Sequence, residues 1–343
     1  MFAVCVFLQI SSCGRSSTQT QQSEFDCNCQ LAPEGEVFLE KRASSQTNSN
    51  PSIPEVRQAV REKLLREQGE IVEVAKVEDR KIPGLVGEIP IRIYTSNEEG
   101  QFPIILYYHG GGWATGDLDP HDNISRILAK RANAIVVAVD YRLGPEHPFP
   151  AALDDAYSAL TWVAEQGKTI NGDPSRIALV GDSAGGNIVA AVALKARDEG
   201  QSVVDAQVMF YPVMDLSQMN NRSYQCFDRG YALSKASMEL FRDAYTSNEQ
   251  DWQTPYASPL LARNLENLPP ALIITASCDV LRDEAEQYAQ RLQEARVKVT
   301  LSRYPMVHGF VTKNVSLNTY AQQALNEAVA VINTEFSTSK TGQ

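Results

Sequence analysis

Short apolar runs alternate with segments of helical periodicity along most of the chain. Five runs are continuously apolar, as expected for strands buried on both faces, and they lie at 104–108, 135–139, 177–180, 208–211 and 272–276. The intervening segments repeat their apolar residues with the helical period, at 123–132, 151–165, 187–197, 283–295 and 317–334. This alternation predicts an α/β fold in which helices cover both faces of a mainly parallel sheet.

Two regions depart from this alternation. Residues 1–50 begin with an apolar stretch and continue through tracts rich in Ser, Thr and Gln, which predicts a leader and a polar tether. A folded domain is expected at 51–343, beginning with a helix in which Val56, Val60 and Leu64 share one face. Residues 215–251 are polar and aromatic, and we interpret them as an insertion.

Composition narrows the classes of function. The 343 residues are 43% hydrophobic and 21% charged, which is ordinary for a globular protein. With 31 basic against 42 acidic side chains, the net charge of −11 disfavours nucleic-acid binding, which needs clustered Lys and Arg. No apolar run approaches the roughly 20 residues of a membrane-spanning helix.

The cysteines are unevenly distributed. Four of the six fall within the first 29 residues, and the full set is Cys5, Cys13, Cys27, Cys29, Cys226 and Cys278. A disulfide framework would spread its pairs over the body of the chain. The Cys27-x-Cys29 pair is one residue shorter than the C-x₂-C spacing of a zinc knuckle. We therefore expect thiols without a structural role, and no metal site.

A serine flanked by small residues follows the run at 177–180. The motif is Gly181-Asp182-Ser183-Ala184-Gly185, and a helical segment comes directly after it. G-x-S-x-G alone is a weak signal, which a structural glycine-rich turn also produces. At a strand-to-helix elbow, however, small neighbours allow a strained serine to project its hydroxyl, and the helix N-terminus favours developing negative charge. Ser183 is therefore the candidate nucleophile.

A nucleophilic serine needs a base and an acid. In enzymes built on such an elbow, the acid and then the histidine follow the serine along the chain. Of the four histidines only His308 follows Ser183, which makes it the candidate base. Asp279 is the carboxylate nearest the end of the run at 272–276 and is the candidate acid. Asp283 is the alternative, although it and Glu284 begin the next helix, where acids cap the helix or face solvent.

A glycine cluster, His109-Gly110-Gly111-Gly112-Trp113, follows the run at 104–108. Unshielded backbone N–H groups suit an oxyanion hole, and we predict that Gly110 and Gly111 form one with Ala184. Gly110-x-Gly112-x-x-x-Gly116, with Asp140 ending a later strand, also imitates a dinucleotide site. That alternative is disfavoured because its spacing misses G-x-G-x-x-G and a bulky Trp occupies the place of the pyrophosphate.

Together these motifs resemble the hormone-sensitive-lipase-like family of α/β-hydrolase esterases. The resemblance runs from about residue 53 to residue 310 and beyond, with motifs in the family's order at 109–113, 140–152, 181–185, 279–284 and 308–310. It implies an α/β-hydrolase fold, the same triad and oxyanion donors, and a helical cap built from residues near 51–70 and 215–250. Gly144 and Val280 stand where the family pattern has Ala and Pro, and neither carries a catalytic atom.

The expected activity is that of a serine carboxylesterase that hydrolyses short- to medium-chain acyl esters without a metal or cofactor. An amidase or deacetylase using the same triad is the nearer alternative. A non-catalytic ligand-binding protein of the same fold is the more distant one, since fold does not determine function. Five aromatic residues are candidates for the acyl pocket, namely Trp113, Tyr211, Phe227, Tyr231 and Phe310.

The N-terminal residues also suggest a location. Ile10-Ser11-Ser12-Cys13 has the pattern of a bacterial lipoprotein processing site, and lipid on Cys13 would anchor the tether to a membrane. However, no Lys or Arg precedes Arg15, whereas an export signal normally begins with positive charge. We expect an exported or envelope-associated protein. The alternative is a cytoplasmic protein with a dispensable N-terminal tail.

Overall fold

One eight-stranded sheet organises the chain in the computed structural model, which describes residues 27, 29–43, 52–97, 99–313 and 318–339. The order across the sheet is β1-β2-β4-β3-β5-β6-β7-β8. The pairs β1–β2 and β2–β4 are antiparallel, and all other neighbouring pairs are parallel. The strands are β1 (Lys76–Pro83), β2 (Glu88–Thr95), β3 (Phe102–Tyr108), β4 (Ile135–Val139), β5 (Gly172–Asp182), β6 (Ala206–Phe210), β7 (Ala271–Cys278) and β8 (Val299–Val307).

Helices cover both faces of this sheet. The described helices are α1 (Pro33–Ala43), α2 (Ile53–Glu67), α3 (Asp122–Ala132), α4 (Ala151–Gln166), α5 (Ala184–Asp198), α6 (Arg222–Phe227), α7 (Lys235–Tyr245), α8 (Glu249–Trp252), α9 (Arg282–Glu294) and α10 (Thr319–Ser339). Helices α4, α5 and α9 pack on one face, and α3 and α10 pack on the other.

The apolar runs are explained by this double coverage. In β3, Ile104 and Leu106 face the core on the α5 side, whereas Ile105 and Tyr107 face the core on the α3 side. Every residue of β3 is buried, because successive side chains point to opposite faces and both faces are covered. The predicted α/β fold with a mainly parallel sheet is confirmed.

The N-terminal segment requires two corrections. Residues 29–43 were assigned to a tether, but α1 packs against β8, and the N–H of Ala32 donates to the carbonyl oxygen of Pro305 at 2.8 Å. The expectation of cysteines without a structural role is also wrong for four of the six. Disulfide bonds join Cys27 to Cys226 and Cys29 to Cys278. The partners lie 199 and 249 residues apart, so no local spacing could reveal them.

The remaining predictions for the N-terminus fall on residues that are not described. Cys5, Cys13 and the lipoprotein pattern all lie within 1–26, outside the described residues. Among the helices that are described, none combines the length and the apolar character required to cross a bilayer.

Candidate active site

The candidate nucleophile stands on a tight elbow between β5 and α5. Ser183 has φ 54° and ψ −117°, which a non-glycine residue adopts only when its surroundings hold it there. Its N–H donates to the carbonyl oxygen of Phe210 at 2.8 Å. A Cβ at Gly185 would overlap the carbonyl oxygen of Tyr108 in β3, so only glycine fits beside that strand. The small residues of the motif therefore allow the elbow to form.

The structure brings the three predicted residues of the triad into one hydrogen-bonded chain. Nε2 of His308 lies 2.9 Å from Oγ of Ser183, and Nδ1 of His308 lies 2.7 Å from Oδ2 of Asp279. Asp279 follows the end of β7 and is buried, and His308 follows the end of β8. Parallel strands end at the same edge of the sheet, which is why residues so distant in sequence meet.

The alternative acid, Asp283, lies elsewhere. Its Oδ2 accepts the N–H of Ser223 at 2.8 Å, and its Oδ1 is held by Arg282, so it fastens α6 to the start of α9. Glu284 does not face solvent as the sequence suggested. It is buried, and its Oε1 accepts the N–H of Met214 at 2.8 Å. Burial raises the pKa of Glu284 well above its usual value.

The glycine loop after β3 differs from the predicted oxyanion hole in one position. The N–H of Gly110 donates to Oδ1 of Asp182 at 2.9 Å, so this donor is already occupied. Among the described residues, the N–H groups of Gly111, Gly112 and Ala184 have no protein acceptor. Gly111 has φ 124°, and a Cβ there would overlap the carbonyl oxygen of Thr115. The correction is that Gly112, rather than Gly110, offers the free N–H.

A buried polar network holds this loop, and the sequence analysis missed it. The hydroxyl of Tyr107 donates to Oδ1 of Asp182 at 2.6 Å, and the hydroxyl of Tyr141 donates to the carbonyl oxygen of His109 at 2.6 Å. The ring of His109 stacks on Tyr141 at 4.3 Å, and burial lowers the pKa of His109 to about 3. The sequence contains one signal of this network, a tyrosine near the end of a buried strand. A buried hydroxyl needs a hydrogen-bond partner, so its presence indicates a polar group nearby.

A cavity of about 140 Å³ opens above Ser183 and His308. Its apolar wall comes from α2 and from the segment around α7, with Val60, Leu64, Leu233, Met238 and Phe241. Three larger surface depressions, of about 730, 740 and 320 Å³, contain neither Ser183 nor His308, so we assign the site to the smaller cavity. Parts of the regions near 51–70 and 215–250, namely α2 and residues 233–241, therefore cover the site. We call α2, α7 and the preceding helix α6 of the same insertion the cap.

Only one of the five aromatic residues proposed for the acyl pocket lines this cavity. It is Tyr211, whose ring centroid lies 4.8 Å from that of His308. Trp113 stacks on Tyr245 at 4.5 Å beneath the cap. Phe227, Tyr231 and Phe310 are not among its lining residues either: the ring centroid of Phe227 lies 5.2 Å from that of Tyr231, and the ring of Phe310 packs behind Tyr211, with 5.7 Å between the centroids. The prediction for Trp113, Phe227, Tyr231 and Phe310 is thus corrected.

Helix α2 has no fully buried residue. It is therefore held over the cavity by charged groups and not by apolar packing. Nε of Arg57 donates to the carbonyl oxygen of Ala114 at 2.6 Å, and its Nη2 donates to that of Gly144 at 2.7 Å. The same guanidinium holds both carboxylate oxygens of Glu146 and lowers the pKa of Glu146 to about 2. Arg61 makes ion pairs with Asp117 and Asp119 in the same way.

The described residues contain no group of three or more His, Cys, Asp or Glu side chains that could hold a metal ion. The dinucleotide alternative is not supported either. The glycine loop does not open a helix, since α3 begins only at Asp122, and Phe241 packs against Gly112.

This geometry agrees with the activities of proteins that are similar to the chain in sequence and in structure. A sequence profile for the alpha/beta hydrolase fold matches residues 105–312, which is more than half of the chain. The chain belongs to the α/β-hydrolase family. It is 44% identical to the carboxylic ester hydrolase LipN of Mycobacterium tuberculosis, in an alignment that covers 68% of the chain and 64% of LipN. An arylesterase of Saccharolobus solfataricus is 38% identical over 82% of the chain and 92% of that protein.

Solved structures of the same fold extend over more of the chain. An esterase of Pyrobaculum calidifontis superimposes with a TM-score of 0.81 at 38% identity, covering 89% of the chain and 98% of that structure. An ester hydrolase from the metagenome of Lake Arreo, solved with a bipyridine phosphonate derivative, gives a TM-score of 0.84 at 36% identity over 90% and 99%. The protein is therefore a carboxylic-ester hydrolase of the hormone-sensitive-lipase-like type, and we refer to it as the esterase.

Proposed function

We propose that the esterase hydrolyses short- to medium-chain acyl esters through an acyl-Ser183 intermediate. The observation that carries the proposal is the unbroken hydrogen-bonded chain from Ser183 through His308 to Asp279, open to one cavity. Ser183 supplies the nucleophile, His308 takes its proton, and Asp279 holds the imidazole in the orientation and tautomer that the transfer requires.

The reaction proceeds in two acyl transfers. Oγ of Ser183 attacks the ester carbonyl while its proton passes to Nε2 of His308, and the negative charge of the tetrahedral intermediate develops on the carbonyl oxygen. That oxygen accepts hydrogen bonds from the N–H groups of Gly111, Gly112 and Ala184. His308 then protonates the departing alcohol. Water, deprotonated by the same nitrogen, attacks the acyl-serine, and His308 returns that proton to Oγ of Ser183 as the acyl bond breaks and the carboxylic acid leaves.

The cavity supports a preference for limited acyl length. Its wall is apolar, and each buried methylene gains roughly 0.8 kcal/mol until the chain reaches the end of the pocket. Phe241 and Leu64 line the cavity that holds Ser183, and they belong to α7 and α2 of the cap. A longer chain has to displace one of these helices, which offsets the gain. We therefore expect acyl chains of about four to eight carbons to be preferred.

A series of p-nitrophenyl esters from acetate to palmitate tests this function. We expect kcat/KM to rise toward butyrate or octanoate and to fall for laurate and palmitate. Ser183→Ala, measured in parallel, provides the background rate of each ester. Faster turnover of palmitate than of butyrate would show that the cap does not close the site in this way. The p-nitroanilide of butyric acid, tested beside the ester, separates an esterase from an amidase.

We also propose that the esterase works outside the reducing cytosol. The support is the pair of disulfides, because such bonds persist in exported and periplasmic proteins and are rare where thiols are kept reduced. An anchor at Cys13 remains a prediction. Mass spectrometry of the native protein after cell fractionation tests both. We expect a lipid-bearing Cys13 in the membrane fraction. An intact Met1 in a cytosolic fraction, with Cys226 and Cys278 as free thiols, would contradict the proposal.

A further inference from the structure

Both disulfides converge on one short piece of chain. Cys27 and Cys29 are two residues apart, yet their partners lie in different elements of the esterase. Cys226 belongs to α6 of the cap, and Cys278 is the last residue of β7, next to Asp279. The Cα–Cα separations are 5.1 Å for the outer bridge, Cys27–Cys226, and 5.6 Å for the inner bridge, Cys29–Cys278. Residues 27–29 thus connect the cap covalently to the loop that bears the acid.

The inner bridge lies at the start of the loop that carries Asp279, which we call the acid loop. Cys278 is fully buried, and its neighbour Asp279 carries the oxygen that contacts His308. The same N-terminal segment continues onto β8, where Ala32 bonds Pro305, three residues before His308. A covalent bond at residue 278 therefore limits how far Asp279 can move relative to the strand that carries its histidine.

The outer bridge acts on the cap instead. Helix α6 is already bonded to the acid loop, since Oγ of Ser223 donates to the carbonyl oxygen of Val280 at 2.6 Å. Phe227, at the end of α6, packs under the guanidinium of Arg282 at 4.9 Å. Cys226 lies between these two contacts, and its bond to Cys27 ties the helix down at a third point. The chain leads from α6 through residue 233 into α7, which carries Met238 and Phe241 of the cavity wall.

We propose that the two bridges are positioning elements with separate duties, an inference that rests on the proposed function. The inner bridge holds Asp279 against His308 and thereby sustains turnover. The outer bridge holds the cap over the acyl chain and thereby sets KM and chain-length selectivity. Neither sulfur atom touches substrate, and each bridge acts through the element to which it is bonded.

Exposure predicts the order in which the bridges open. In the outer bridge Cys27 is exposed and Cys226 is half-buried, whereas in the inner bridge Cys29 is half-buried and Cys278 is fully buried. A dithiol reductant opens a bridge by thiolate attack on one sulfur, which gives a mixed disulfide. The second thiol of the reductant then closes a cyclic disulfide and releases two cysteine thiols, so that two electrons and two protons pass to the protein. The outer bridge should open first because attack requires access.

Steady-state kinetics on the full chain test the proposal, with two double variants as each other's control. For Cys29→Ser/Cys278→Ser we expect kcat for p-nitrophenyl butyrate to fall at least about fivefold with KM within about twofold. For Cys27→Ser/Cys226→Ser we expect kcat to stay within about twofold while KM for the octanoate ester rises at least about threefold. Active-site titration with an organophosphate counts the competent serines, so that kcat refers to folded enzyme only.

Stepwise reduction of the wild-type enzyme supplies the same test without substitutions. Mild dithiothreitol should first raise KM for octanoate as two thiols appear, then lower kcat as four appear, and reoxidation should restore both. The proposal is overturned if four thiols are released with kcat and KM unchanged, or if both double variants alter kcat and KM alike. Failure of the proposed function is a separate result, in which the oxidised wild-type enzyme does not turn over these esters above Ser183→Ala.

Discussion

The N–H of Gly110 donates a 2.9 Å hydrogen bond to the carboxylate of Asp182, the residue immediately before Ser183. This bond joins the oxyanion loop after β3 to the nucleophile elbow after β5, two strands that are neighbours in the sheet. The hydroxyl of Tyr107 donates to the same carboxylate oxygen at 2.6 Å. Asp182, the second residue of the G-x-S-x-G motif, therefore sets the distance between the serine and the donors that receive the charge.

Substitution of Asp182 should thus reduce turnover although this residue belongs neither to the triad nor to the oxyanion donors. Asp182→Ala leaves the Gly110 N–H and the Tyr107 hydroxyl buried without an acceptor and frees the loop. We expect kcat to fall about 10²-fold, comparable with the loss of one oxyanion donor. Asp182→Asn keeps an acceptor oxygen and should lose less. Equal kcat values for the wild type and Asp182→Ala would exclude a role for this bond in positioning the loop.

The two candidate acids should differ sharply in their effect on catalysis. Ser183→Ala and His308→Ala should each lower ester turnover by about 10⁴-fold or more, because the triad acts as a unit. Asp279→Asn removes the carboxylate that contacts Nδ1 of His308 at 2.7 Å and should approach the same loss. Asp283→Asn affects the contacts with Ser223 and Arg282, neither of which belongs to the triad, and should retain most of kcat. The reverse ranking of the two Asn variants would show that the acid is misassigned.

The parts of the site that could be predicted are those with local signals. The order of Ser183, Asp279 and His308 along the chain identifies the triad, because each follows the end of a strand, and the strands before Ser183 and Asp279 contain apolar runs that the sheet buries on both faces. The strand ends then meet at one edge whatever the loops contain. The glycine cluster is visible for a similar reason, since small residues mark the places where two backbones approach closely.

The parts that escaped prediction depend on packing between distant elements. Phe227 and Phe241 lie in the same insertion and have the same side chain, yet only Phe241 lines the cavity. The two residues differ because α6 and α7 pack differently against the rest of the domain. Hydrophobic periodicity along the chain does not encode that packing. The disulfide partners of Cys27 and Cys29 are equally invisible, because loops of 199 and 249 residues separate them. Gly110 looked like a free donor because its acceptor, Asp182, lies on another strand.

The buried histidine of the glycine loop should make stability depend on pH. The pKa of His109 is lowered to about 3, because burial disfavours the charged ring. Below about pH 6.5 the unfolded chain binds a proton at this residue whereas the folded protein does not, so the free energy of unfolding falls as pH decreases from about 6.5 toward 3. The slope for one such group is at most about 1.4 kcal/mol per pH unit.

Urea unfolding at pH 7 and pH 5 measures this effect. The loss of unfolding free energy between the two pH values should be smaller for His109→Gln than for the wild type. His147→Gln serves as the matched control, because His147 is exposed, and it should behave as the wild type does. An equal loss in all three proteins would mean that other groups account for the pH dependence.

The attachment of α2 by charged groups rather than by buried apolar residues leads to a prediction about selectivity. Arg57 bonds the carbonyl oxygens of Ala114 and Gly144 and pairs with Glu146, so it fixes the helix that presents Val60 and Leu64 to the cavity. Arg57→Met should loosen this wall. We expect KM for butyrate esters to rise about five- to tenfold, while esters longer than octanoate gain relative to butyrate because the end of the pocket opens. Arg66→Met on the same helix is the control, since the side chain of Arg66 is 70% exposed and, within the described part of the chain, its ion pair is with Glu62 on the same helix. The kcat/KM series from C4 to C16 measures the shift. If Arg57→Met keeps the wild-type chain-length profile, α2 does not limit the acyl chain, and the selectivity must come from α7 alone.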